Sequence, residues 1–111
     1  LRRRHPDLPV IVFARGIGDH QKRAAALPGA SAIGIETEFD LSLLPVDVVV
    51  QGNLDPVALI AGEEVVRSEV QRICRSVDRQ RHIFNLGHGI RLGTDPAVVG
   101  AAVDAVRRFD G

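Results

Sequence analysis

The chain has 111 residues, of which 45% are hydrophobic and 25% are charged, a composition that is ordinary for a globular domain in water. Its 14 Lys and Arg residues balance its 14 Asp and Glu residues, so no net charge favours nucleic acid or an acidic membrane surface as a partner. No apolar run approaches the roughly 20 residues that a membrane-spanning helix needs, and we expect no membrane span.

Three consecutive arginines at positions 2–4 stand near the start of the chain, followed by His5 and Pro6. We interpret them as the solvated end of a helix, where cations compensate the negative end of the helix dipole and the proline stops the helix. The alternative is a patch that binds phosphate or carboxylate. Because the chain begins at Leu1 inside this helical pattern and not at a Met, we expect that Leu1 is not the natural start.

Four short apolar runs, rich in β-branched residues, occupy residues 9–16, 30–36, 46–52 and 82–87. They are too short for helices of average length. Near-continuous apolarity without alternation is typical of strands that are covered on both faces, as in parallel sheets. We therefore predict four parallel strands, and we expect these residues on or near the sheet and well covered on at least one side: Val10, Val12, Ile33, Val49 and Ile83.

Helical patterns lie between these runs and after the last one, over residues 18–26, from Asp55, over residues 63–77 and from Asp95, with a short helix near residues 41–44. Asp55 and Asp95 each precede a proline, and an aspartate cap followed by proline at the first helical position is a common helix start. Apolar residues mark one face of each of the two long helices. These are Val66, Val70, Ile73, Cys74 and Val77 in the first, and Val99, Val103 and Val106 in the second.

Cys74 is the single cysteine of the chain. It therefore excludes an internal disulfide and a metal site with several thiolates. Its place in a helical pattern favours a small apolar filler over a reactive thiol, and one unpaired cysteine fits a cytoplasmic location.

Strands that alternate with helices predict an α/β fold with a parallel sheet. A closed (β/α)₈ barrel needs about 250 residues. The pattern alone therefore leaves two possibilities, a small open α/β domain and half of a barrel.

Ligands of parallel α/β folds bind at the C-terminal ends of the strands. The strongest signal at such an end is the segment NLGHG at residues 85–89, in which Gly87 and Gly89 flank His88. The glycines allow a positive φ or a close backbone approach, so the imidazole can project into a cleft and bind a carboxylate or transfer a proton. The alternative is an exposed turn in which His88 has no ligand.

Two long segments resemble the paired signatures of uroporphyrinogen decarboxylases, VQGNLDP at residues 50–56 and HIFNLGHGI at residues 82–90. Residues 9–16, 32–35 and 94–97 are similar to neighbouring segments of that family in the same order, so the resemblance covers essentially the whole chain. It implies that residues 1–111 form a single partial domain. This domain would be the C-terminal half of a (β/α)₈ barrel, with the fifth to eighth strands parallel and helices on the outer face.

The resemblance also implies a function. Uroporphyrinogen decarboxylases convert the acetate side chains of uroporphyrinogen to methyl groups with loss of CO₂, giving coproporphyrinogen in haem biosynthesis, and they use no cofactor and no metal. His88 matches the motif histidine that engages the acids of the substrate. The family's key carboxylate, arginines, tyrosine and serine lie on earlier strands, so we expect His88 to bind substrate and expect no catalytic residue within this chain.

Five further residues match the family motifs at strand ends, and we expect them to support loops: Gln51, Asn53, Asn85, Gly87 and Gly89. Buried amides at strand ends commonly satisfy loop backbone, and direct substrate contact by Gln51 and Asn53 is the alternative. Arg15 stands at a strand end, where it is placed to clamp a carboxylate, although the resemblance does not support that role. Glu36 stands where the family usually has aspartate, so no role is transferred to it.

Two further functions stay open beside the decarboxylase. A related barrel methyltransferase would need zinc held by His and Cys ligands, which the single Cys74 disfavours. A half-barrel could instead serve only as an association module. Because half of a barrel has an apolar inner face and two unpaired strand edges, we expect a homodimer.

Overall fold

The computed structural model describes residues 1–110. Its strands are β1 (Ile11–Phe13), β2 (Ala32–Gly34), β3 (Val50–Gln51) and β4 (His82–Ile83). Its α-helices are α1 (Gln21–Ala25), α2 (Pro56–Ala61), α3 (Glu63–Ser76) and α4 (Pro96–Arg107). Short 3-10 turns cover Gly18–His20, Leu41–Leu43 and Arg79–Arg81.

The predicted parallel sheet is confirmed. All strand pairs are parallel, and the strands lie in the order β1-β2-β3-β4. Each strand has only two or three residues, fewer than the apolar runs suggest, because the runs continue as extended chain outside the regular ladder. Past β3 and β4, for example, the Leu54 N–H donates to the Asn85 carbonyl (3.0 Å) and the Gly87 N–H donates to the Leu54 carbonyl (2.9 Å).

One face of the sheet carries the core. Ile33 of β2 and Val50 of β3 are buried in an apolar cluster that contains Val66, Val70 and Ile73 of α3. Val98 and Ala102 of α4 join the same cluster. The helices therefore pack on one face of the sheet, as predicted.

The opposite face of the sheet, which we call the inner face, has no helix packed on it within the described residues and carries exposed apolar side chains. Successive strand side chains point to opposite faces, and Phe13 and Ile83 are exposed by 49% and 42%. Ile11 is exposed in the same way, and the Phe13 ring lies over Gly34, where an added Cβ would be 2.9 Å from it. These exposed apolar side chains agree with the open inner face expected of half a barrel, since the helices of this chain reach only the other face.

The five residues expected at the sheet differ in their cover. Ile33 is buried, and Val10, Val12 and Val49 are half-buried, as expected. Ile83 is exposed, so the expectation is wrong there. Its side chain belongs to the inner face, whereas the neighbouring His82 is half-buried.

The predicted helix starts and the predicted face of α3 are confirmed. A carboxylate oxygen of Asp55 and one of Asp95 each accept a hydrogen bond of 2.9 Å from the backbone N–H two residues later. The α3 face is buried at Val66, Val70 and Ile73 and half-buried at Cys74 and Val77. No helix among residues 1–110 is long and apolar enough to cross a membrane.

The buried face of α4 differs from the prediction. Val98, Ala101 and Ala102 are buried, whereas Val103 is exposed. α4 packs chiefly on α3. Because small side chains let two helices approach closely, α4 buries the face that carries Ala101 and Ala102 and leaves Val103 exposed. The valines line an apolar groove beside β4, whose wall includes Leu54, Phe84, Leu86, Ile90, Val99, Val103 and Val106.

The first residues of the chain form a single turn in the structure. The His5 N–H and the Arg4 N–H both donate to the Leu1 carbonyl at 3.0 Å. The Arg2 guanidinium donates to the carbonyl oxygens of Pro6 (2.7 Å) and Gly29 (2.9 Å) and to the Ser31 hydroxyl oxygen (3.0 Å). Arg2 therefore ties the first turn to the loop before β2 and is not a freely solvated cation.

His82 links β4 to the end of β3, because its Nε2–H donates to the Gly52 carbonyl oxygen at 2.6 Å. Burial lowers the pKa of His82, and the hydrogen bond to Gly52 opposes this with a smaller effect. The folded state therefore binds a proton at this imidazole less readily than the unfolded chain, whose histidine pKa is about 6.5.

We predict that His82 makes the protein less stable in mild acid. As the pH falls below about 6.5, the unfolded chain takes up a proton that the folded imidazole resists, so the free energy of unfolding decreases until the lowered folded pKa is passed. Urea unfolding between about pH 5 and pH 8 should show this decrease, and His82→Gln should show less of it. A stability difference between the two proteins that does not change with pH would contradict the prediction.

Candidate functional site

An open cavity of about 570 Å³ lies on the inner face at the C-terminal ends of the strands. Its polar wall contains Arg15 after β1, Gln51 of β3 and the segment 85–89 after β4. Phe13, Leu86 and Ile90 form its apolar wall. The parallel direction of the strands brings these separate segments to one edge of the sheet, and the cavity therefore offers hydrogen-bonding groups above an apolar surface.

His88 projects into this cavity from an exposed position. Its Nδ1 accepts a hydrogen bond from the Gly89 N–H at 2.9 Å. Its Nε2 lies 2.5 Å from Nη2 of Arg15. The imidazole is thus oriented by its own loop and stands beside a cation from the loop after β1.

Gly87 and Gly89 differ in what they contribute to the histidine loop. Neither has a positive φ, so of the two possibilities only the close backbone approach can apply. Gly87 is buried against Thr37, and a Cβ at Gly87 would lie 2.5 Å from the Thr37 backbone nitrogen and 2.5 Å from its Oγ1. Gly89 has nothing within 4 Å of such a Cβ, so a close approach explains the first glycine and not the second.

Asn53 lies behind the cavity and not in its wall. Its side chain is only 4% exposed, and Nδ2 donates to the carbonyl oxygens of Glu36 (2.8 Å) and Phe39 (2.7 Å), with a longer contact of 3.4 Å to that of Thr37. These bonds hold the loop after β2, against which Gly87 packs. The geometry fits the loop support expected of Asn53, which stays a prediction.

The other two amides have different surroundings. Gln51 is half-buried in the cavity wall. Asn85 is exposed in the same wall, and its Oδ1 accepts a bond of 2.8 Å from the Leu86 N–H. Both can therefore face a ligand, and for Gln51 the alternative of direct contact fits the geometry better than loop support.

Glu36 reaches across to the loop after β1. One carboxylate oxygen accepts a hydrogen bond from the Gly16 N–H at 2.8 Å. A second cavity of about 580 Å³ lies beside the first, shares Gly87 and His88 with it and has Asp19, Glu36 and Glu38 in its wall. His88 thus stands between an acid-lined cavity and the cavity that contains Arg15.

Gln21 is a residue that the sequence did not single out. It is 2% exposed, its Oε1 accepts from the Glu36 N–H at 3.0 Å, and its Nε2 donates to the Gly18 carbonyl at 3.2 Å. It joins the loops after β1 and β2. No sequence pattern marks it, because a glutamine at the start of a short polar helix is ordinarily exposed.

Two observations concern possible metal ligands and the thiol. Within residues 1–110, no group of three or more His, Cys, Asp or Glu side chains is arranged to hold a metal ion. Cys74 is half-buried in α3, and burial raises the pKa of its thiol. A protonated thiol packed beside the core fits the expected role of an apolar filler.

Comparison with known proteins identifies relatives over nearly the whole chain. The uroporphyrinogen decarboxylase (URO-D) family profile matches residues 1–109. A uroporphyrinogen decarboxylase of Jannaschia sp. is 42% identical over 111 residues, which cover 96% of this chain and 32% of the relative. Those of Granulibacter bethesdensis and Sinorhizobium fredii are both 40% identical and cover 96% and 100% of this chain. The chain spans about a third of the length of these curated relatives.

We predict that Asn53→Ala destabilises the fold and that Gln51→Ala, the matched control, does so much less. Removing the Asn53 amide leaves two well-bonded carbonyl groups without their partner, and a buried unsatisfied polar group costs about 1–3 kcal/mol. Urea unfolding should show a loss of about 2 kcal/mol for Asn53→Ala. Equal losses for the two variants would contradict the assignment of Asn53 to the loop and Gln51 to the cavity.

Proposed function

Because this chain belongs to the uroporphyrinogen decarboxylase family, we propose that it supplies the histidine-bearing part of a uroporphyrinogen decarboxylase active site. One observation carries the proposal. His88 projects from a loop at the C-terminal strand ends into a cavity with a polar rim and an apolar wall. Such a cavity suits a pyrrole ring that carries carboxylates.

The proposed reaction needs positioning and charge stabilisation from the protein, and it needs no cofactor. Protonation turns a pyrrole ring of uroporphyrinogen into an electron sink. The bond from the acetate methylene to its carboxyl carbon then breaks, CO₂ leaves, and the bonding electrons pass into the ring. The methylene carbon takes up a proton and the ring loses one, which gives the methyl group of coproporphyrinogen.

In this reaction His88 is a binding residue and not the proton donor. Its loop fixes the imidazole next to Arg15, where it meets a substrate acid at the cavity rim. The resemblance implies that the family's pyrrole-binding carboxylate lies on an earlier strand than β1. We therefore propose that the 111-residue chain by itself decarboxylates uroporphyrinogen far more slowly than its long relatives.

We predict that a hybrid enzyme, made of the first two-thirds of the Jannaschia sp. relative and this chain, converts uroporphyrinogen to coproporphyrinogen. His88→Asn in the hybrid should slow turnover at least about tenfold, since lost charge-stabilising contacts typically cost orders of magnitude in rate. Partly decarboxylated porphyrinogens should accumulate, because they have fewer acids left to hold them. Chromatography of the porphyrins after oxidation measures both effects.

The control for the hybrid is His20→Asn, which removes an exposed imidazole outside the cavity wall. It should leave turnover unchanged. A hybrid that folds, as shown by circular dichroism and cooperative melting, but does not decarboxylate would refute the proposed function. Full activity of the His88→Asn hybrid would refute the role of His88.

A methyltransferase of the same superfamily is not favoured, since the relatives described above are all decarboxylases.

An association role is supported by one observation, the exposed apolar side chains of the inner face. We propose that the purified chain forms a homodimer, in which the inner faces of two copies cover each other as two halves of a barrel. Residues 1–111 would then act as a single partial domain built around one apolar cluster.

We predict that light scattering at micromolar concentration gives the mass of a dimer and that Ile83→Lys shifts it toward the monomer. A lysine on the inner face would place a charge where the second copy packs. The matched control Val46→Lys changes a side chain that is already 82% exposed and should leave the mass unchanged. A monomeric parent chain with a cooperative melting transition would contradict the homodimer.

The proposed place of action is the cytoplasm. The single cysteine is half-buried and unpaired, which fits a reducing compartment.

A further inference from the structure

Arg15 is a cation at the rim of the cavity without a carboxylate partner in the described part of the chain. The ion pairs there join Arg67 to Glu63, Arg72 to Glu69 and Arg81 to Asp78. On the neighbouring loop, a carboxylate oxygen of Glu36 instead accepts a hydrogen bond from the Gly16 N–H. The guanidinium of Arg15 therefore remains available to an anion that enters the cavity.

The contact between Arg15 and His88 also leaves hydrogen-bonding capacity unused. A guanidinium can only donate, and a neutral imidazole has one nitrogen that donates and one that accepts. If Nδ1 accepts from the Gly89 N–H, then Nε2 carries the hydrogen and faces the Arg15 donor at 2.5 Å. Two donors then lie side by side at the cavity, and one acceptor in front of both nitrogens can receive a hydrogen bond from each.

We propose that Arg15 and His88 together bind one carboxylate of the substrate, so that Arg15 is a substrate-binding residue beside His88. A carboxylate oxygen accepts from a guanidinium and from an imidazole N–H, and such charge-assisted hydrogen bonds are about twice as strong as neutral ones. This assignment rests on the function proposed above for the choice of a pyrrole substrate. The pairing of the two donors rests on the geometry alone.

The surroundings of the pair suit an acid attached to a flat apolar ring. Leu86 is half-buried and Ile90 is 57% exposed, and both line the same cavity. A ring can lie against them while its carboxylate reaches Arg15 and His88. The loop after β1 thereby contributes to substrate recognition together with the histidine loop after β4.

The test measures binding to the 111-residue chain and not turnover. The probe is porphobilinogen, a single pyrrole with an acetate and a propionate side chain, and 2,4-dimethylpyrrole serves as the probe without acids. Titrations followed by ¹⁵N NMR give the dissociation constant and report on both nitrogens of His88. We expect porphobilinogen to bind, to place the hydrogen on Nε2 and to bind far more tightly than dimethylpyrrole.

The variants separate the role of Arg15 from general charge. Arg15→Gln should weaken porphobilinogen binding about tenfold or more, in line with the loss of a charged hydrogen bond. Arg15→Lys should keep part of the affinity, and Arg91→Gln, which removes an exposed cation outside the cavity wall, should change nothing. The effects of Arg15→Gln and His88→Asn should be less than additive in the double variant, because both act on one carboxylate.

Two results would overturn the assignment. One is a folded parent chain that does not bind porphobilinogen at millimolar concentration, and the other is an Arg15→Gln variant that binds as tightly as the parent. The hybrid enzyme distinguishes this failure from failure of the proposed function. An active hybrid with Arg15-independent binding refutes Arg15 alone, whereas Arg15-dependent binding with an inactive hybrid refutes the decarboxylase.

Discussion

The rest of the structure depends on one constraint, which is that the inner face of the parallel sheet needs a cover. Parallel sheets are stable when both faces are covered, and the helices of this chain cover one. Phe13 and Ile83 remain exposed on the other, next to the cavity that holds His88. The inner face and the cavity are therefore adjoining surfaces, and Phe13 belongs to both.

The loops of the site are held from behind, independently of that cover. Asn53 and Gln21 bond the backbone of the loop after β2, and Gly87 packs directly against Thr37 of the same loop. Glu36 in turn bonds the backbone after β1. Arg15 thus stands on a loop that is hydrogen-bonded to the loop after β2 and His88 on a loop that packs against it, which reduces the reorganisation that binding of an acid would require.

Local patterns in the sequence predicted the parts of the fold that local physics decides. Asp55 and Asp95 cap their helices because aspartate followed by proline is a strong start signal, and the α3 face follows from helical spacing. Helical spacing did not predict the buried face of α4, because packing on α3 buries Val98 and the two alanines that follow and leaves Val103 exposed. It also failed to show that Ile83 is exposed, since apolar strands look alike whether or not their second face is covered. Family motifs located His88, but Gln21 and the contact between Arg15 and His88 depend on loops that are distant in sequence.

Covering of the inner face is tested most directly by hydroxyl-radical oxidation of side chains, read by mass spectrometry. The oxidation rates of Phe13 and Ile83 are compared with those of Val46 and Leu92, which are strongly exposed outside the sheet. Each rate is divided by the rate of the same side chain in the chain unfolded in urea. We expect Phe13 and Ile83 to be protected at micromolar concentration and to become reactive on dilution, while Val46 and Leu92 stay reactive throughout. Equal reactivity of all four side chains at every concentration would contradict a covered inner face.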